Sequence, residues 1–62
     1  FSEIYFSHPE KAQLISSSLG GNNDLILRYQ FQGKNVLIII DMIKNEIKHK
    51  IFFSRGNDWQ IK

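Results

Sequence analysis

Asp41 and His49 are the two residues whose types and spacing come nearest to chemistry. If residues 41–53 fold back through a three-residue turn at 44–46, the two fall directly opposite each other on neighbouring strands, within side-chain contact. An aspartate that orients a histidine is part of a nucleophilic triad. The nucleophile is missing: the chain has no cysteine, and no serine sits in a nucleophile-elbow context. The simpler expectation is a polar pair satisfying itself at the end of an apolar strand. A two-residue turn would instead set Asp41 against Lys48 as a cross-strand ion pair. The chain is therefore read as non-catalytic.

Metal and phosphate chemistry fare no better. His8, His49 and six carboxylates are the available ligand types, and none has zinc-site or calcium-loop spacing. No cofactor is expected. Gly20, Gly21, Asn22 and Asn23 resemble a phosphate loop only in composition. They come after the predicted helix, whereas a phosphate loop uses the free N–H groups of a helix that succeeds it.

The basic residues offer a second kind of chemistry. The first 31 residues carry a net charge of −1 and the remainder +3. Lys34, Lys48, Lys50 and Arg55, with His49, Phe52 and Trp59 nearby, could form a β-surface that holds phosphates and stacks bases. Lysines on edge strands also guard against aggregation, which accounts for Lys48 and Lys50 without a nucleic acid. Nucleic-acid binding is thus the alternative function.

The elements that must position these groups belong to a small unit. At 62 residues the chain buries only about 60% of its unfolded surface. With disulfides excluded, self-association or a partner protein is the natural source of extra stability. A hydrophobic content of 42% excludes a disordered tail. No apolar run is long enough for a membrane span, and the compartment is left open. Residues 1–62 are read as one small domain, and a start at Phe1 suggests a piece of a larger protein.

Residues 2–7 form a candidate short strand. Ser7 and Glu10 then have the spacing of a capping box, and Pro9 falls in the first turn of the helix they would open. Ala12, Ile15 and Leu19 share one helical face, and Gly20 with Gly21 supplies a stop. The spacing predicts a helix over 8–19, with Tyr5 and Phe6 either stapling its entry or pairing at a sheet edge. Strands are predicted over 24–32, 35–43, 47–53 and 58–62. Gly33 and Lys34 form a two-residue type II′ turn, and Trp59 with Ile61 closes the core. A rival reading makes 41–53 a helix, because Ile43, Ile47 and Ile51 recur every four residues. The richness in Ile and Phe favours a hairpin. The expected fold is α+β: one N-terminal helix on a three- to four-stranded antiparallel meander.

The hairpins would pair Phe31 with Val36, Tyr29 with Ile38, Ile39 with Ile51 and Leu37 with Phe53. Strand alternation then defines two faces. Face A holds Leu25, Leu27, Tyr29, Phe31, Val36, Ile38, Ile40, Met42 and Phe52, with Lys48 and Lys50. Face B holds Ile26, Leu37, Ile39, Ile43, Ile47, Ile51 and Phe53, mixed with Arg28, Gln30, Asp41 and His49. A lone antiparallel sheet normally has one dry face and one wet one. Here both are largely apolar, and one helix covers only face A. The expected function is a protein-interaction or assembly module, binding another protein or a second copy through face B or a strand edge. Ile39, Ile51 and Phe53 are its anchors, with Arg28 as a rim charge. The competing explanation is that face B is interior to a larger parent domain.

Overall fold

The computed structural model describes residues 3–61. Four strands succeed one another along the chain: β1 (Gln13–Leu19), β2 (Asp24–Phe31), β3 (Lys34–Asp41) and β4 (Glu46–Phe52). They form one antiparallel sheet in the order β1-β2-β3-β4. Among the described residues there is no helix, so the fold is all-β and the α+β expectation is overturned. In particular, no helix is long and apolar enough to cross a membrane.

The predicted helix over 8–19 is replaced by one turn and an edge strand. Ala12 N–H donates to Pro9 C=O at 3.0 Å, and the helical path ends there. The next residues include Ile15, Ser16, Ser17 and Ser18. A β-branched residue loses rotamer freedom in a helix, and serines compete for its backbone hydrogen bonds. Pairing with β2 satisfies the same backbone groups. The glycines read as a helix stop belong to the β1–β2 hairpin: Gly20 N–H donates to Asp24 C=O at 2.8 Å. Asn22 and Asn23 both have positive φ, 59° and 62°, the signature of a type I′ turn.

The β2–β3 hairpin turns one residue earlier than expected. Gln32 (φ 53°) and Gly33 (φ 75°) make a type I′ turn, so Phe31 pairs with Lys34 and Tyr29 with Val36. This register differs from the predicted one by two residues. Because side chains alternate with period two, the residues of β2 and β3 keep their predicted faces through the shift.

Face A forms the core. Leu27, Tyr29, Val36, Ile38 and Ile40 are buried, Ile40 most deeply at 3% exposure. Phe6, Ala12, Leu25 and Phe31 pack against them. The cover on this face is the irregular N-terminal segment, in which His8 lies with its ring 5.2 Å from that of Tyr29. Residues 3–7 form no strand, and the first two residues of the chain lie outside the described residues. Burial pushes the Tyr29 phenol above its ordinary pKa.

Residues 41–53 form a hairpin, and the rival helix is excluded. The predicted last strand over 58–62 is not formed in the residues described, and Lys62 lies outside them. Trp59 and Ile61 are almost wholly exposed and do not close the core.

Candidate interaction surface

Face B is built by the residues that alternate with the core. Pairing places Arg28, Leu37 and Ile51 in one row across β2, β3 and β4, and Ile26, Ile39 and His49 in the next. Ile26, Leu37 and Ile39 are half-buried, Ile51 remains 39% exposed and Phe53 48%. Phe53 N–H donates to Asn35 C=O at 3.1 Å, which extends the ladder beyond β4. Its side chain shares a shallow depression with Arg28 and Leu37. The three anchors named from sequence, Ile39, Ile51 and Phe53, therefore lie on one surface with the rim charge Arg28.

Its two ends differ in charge. Asp24 pairs with Asp41, and Asp41 with Glu46, so three carboxylates occupy the row beyond Ile26 and Ile39. Lys48 Nζ reaches Asp24 Oδ2 at 3.2 Å and partly offsets them. Arg28 marks the opposite end.

Asp41 and His49 are not opposite each other: His49 faces Ile39, and Asp41 faces Glu46. The cause is the turn: β3 ends at Asp41 and β4 begins at Glu46, so the chain reverses over 42–45 and not over 44–46. A β-bulge lies between Ile39 and Ile40, where Lys48 has no partner on β3, and beyond it the register still differs from the predicted one by two residues. Nor does Asp41 pair with Lys48. Its Oδ1 instead accepts from the backbone N–H groups of Ile43, at 2.9 Å, and Lys44, at 3.1 Å. The Lys44 amide does most to hold the Asp41 carboxyl below the usual carboxylate range; the Ile43 amide and the Lys44 and Lys48 charges act in the same direction against a desolvation cost. This aspartate shapes a turn.

The bulge also moves Ile47 from the predicted face B to face A, where it pairs with the buried Ile40. It brings Lys48 to Asp24 as well. The sequence carries no clear signal for either change, because a single extra residue leaves the composition of a strand unaltered.

The basic residues named from sequence are dispersed. Lys48 is ion-paired with Asp24. Lys50 faces Ile38 on face A. Lys34 and Arg55 line a depression at the far end of the sheet with Gly33 and Asn35. Among the described residues, no group of three or more His, Asp or Glu side chains could hold a metal ion.

Comparison with known families, curated proteins and solved structures finds no match to this chain.

Proposed function

We propose that this chain is a non-catalytic assembly module whose face B packs against a second copy of itself. One observation carries the proposal: Ile26, Leu37, Ile39, Ile51 and Phe53 form an apolar surface left open on a sheet whose other face carries the buried core. A sheet gains stability by burying its apolar faces, and sheets stack at about 10 Å.

Charge supports a second copy as the occupant. Arg28 and Asp24 lie on the same strand, four residues and about 13 Å apart. Two copies related by a two-fold axis in the plane between them can set each Arg28 over the other copy's Asp24–Asp41–Glu46 row. Apolar centres then meet and opposite charges pair at both ends. The nucleic-acid alternative draws less support, because Lys34, Lys48, Lys50 and Arg55 do not share one surface and Lys48 is already engaged.

The test is a set of single substitutions on face B read by light scattering. Ile39→Lys, Ile51→Lys and Arg28→Glu are each expected to weaken association by about tenfold or more, while the exposed β1 control Ser17→Thr leaves it unchanged. Association that is indifferent to all three would contradict the proposal.

A further inference from the structure

A second feature lies on the opposite side of the sheet and stands independently of face B. Between face A and the irregular N-terminal segment is a cavity of about 180 Å³. Phe6, Tyr29, Ile38, Ile47 and Phe52 give it an apolar wall, and Lys50 contributes the cationic group on its lining. No carboxylate lines it. Among the described residues the ion pair is that of Lys48 with Asp24, and Lys50 takes part in none.

We propose that this cavity binds a compact apolar carboxylate, with its ring or short chain against the aromatic wall and its carboxylate on Lys50. The size argues for a small ligand. A cavity of roughly 150 Å³ admits benzene, whereas pockets for drug-sized molecules and cofactors begin near about 300 Å³. The charge argues for an anion: an ammonium group beside an apolar wall complements a ligand that joins both properties. The β-bulge contributes directly, since it turns Ile47 onto the same face as Lys50 and Phe52. His8 and Ser7 add hydrogen-bonding groups on the strap side.

A lysine turned inward on an edge strand also discourages edge-to-edge pairing. That role needs no cavity and implies no preference for anions, so charge-matched ligands separate the two.

The experiment is an amide-resolved NMR titration of the whole chain with benzoate, and in parallel with the uncharged benzyl alcohol. Saturable benzoate shifts are expected at Phe6, Tyr29, Ile38 and Lys50, with a dissociation constant of about 0.1–1 mM. Benzyl alcohol should bind the same residues about threefold to tenfold more weakly, and Lys50→Met should remove the difference. The alcohol comparison on the native chain reads the charge effect even if the variant folds poorly. Absent or non-saturating shifts, equal binding of the two ligands, or a benzoate preference that survives Lys50→Met would overturn the proposal.

Discussion

Lys48 on β4 reaches across β3 to Asp24 on β2, its ammonium 3.3 and 3.2 Å from the two carboxylate oxygens. The contact depends on the bulge at Lys48, which takes this residue out of register with β3. One irregularity thus ties the free edge strand to the middle of the sheet. It also shapes the cavity wall at Ile47.

The Asp24–Lys48 pair is partly open, with side-chain exposures of 18% and 38%, so its contribution is modest. A double-mutant cycle with Asp24→Asn and Lys48→Met should give a coupling of about 0.2–1 kcal/mol in urea unfolding at low salt. Salt near 0.5 M should reduce it, because the Debye length falls to about 4–5 Å. A coupling that is absent at low salt, or unaffected by salt, would contradict the assignment.

The β2–β3 turn holds Gln32 and Gly33 at φ 53° and 75°. A side chain at Gly33 would sit in the left-handed region, so Gly33→Ala should destabilise the fold by about 1 kcal/mol. Gln32→Asn should stabilise it by a few tenths, roughly 0.3–0.5 kcal/mol, because asparagine tolerates this conformation better. Unfolding midpoints for the two variants should move in opposite directions; movement in the same direction would argue against the I′ turn.

Core and edge should respond very differently to truncation. Ile40 is 3% exposed and Leu19 is 75% exposed. Ile40→Ala should cost about 2–4 kcal/mol, a large share of the roughly 3–9 kcal/mol expected for a chain this size. Leu19→Ala should stay within about 0.5 kcal/mol. Similar losses for both in thermal or urea unfolding would place the core elsewhere.

The Asp41 turn carries a pH signature. Its folded-state pKa is lowered, principally by the Lys44 amide, while the unfolded value is near 3.9. The charged carboxylate therefore favours the folded turn fully above about pH 4–5, and this contribution fades as pH falls through the lower folded value. The amide shifts of Ile43 and Lys44 should titrate with a midpoint below that of a free aspartate, and Asp41→Asn should abolish the transition. A midpoint at or above the ordinary value would contradict the hydrogen bonds of the Asp41 carboxylate to the turn amides.

Much of the sheet is legible in the sequence. The alternation from Leu25 to Phe31 and the run from Val36 to Ile40 specify β2, β3 and the face each residue takes, even though the turn is placed one residue late. The edges are less legible. Ser7, Pro9 and Glu10 carry real helix-start chemistry, but the serines of β1 contribute little helical stability, and β2 offers pairing that local patterns do not reveal. Trp59 and Ile61 alternate like a strand, yet the described chain leaves them exposed. For the surface, grouping Arg28, Ile39, Ile51 and Phe53 depends only on parity, which survives a two-residue shift. Asp41 with His49 depends on absolute register, which the turn over 42–45 sets differently. Ile47 changes face because the bulge at Lys48 breaks the alternation between it and His49.

The proposed burial of face B by a second copy of the chain makes molar mass the decisive quantity. Light scattering on the native chain over a dilution series from about 1 mM to 10 µM reads it directly, because mass action moves a weak dimer through its midpoint in that range. A face-B dimer gives a mass approaching twice 7.3 kDa at the high end, falling toward the monomer on dilution. A mass of 7.3 kDa at every concentration would contradict it.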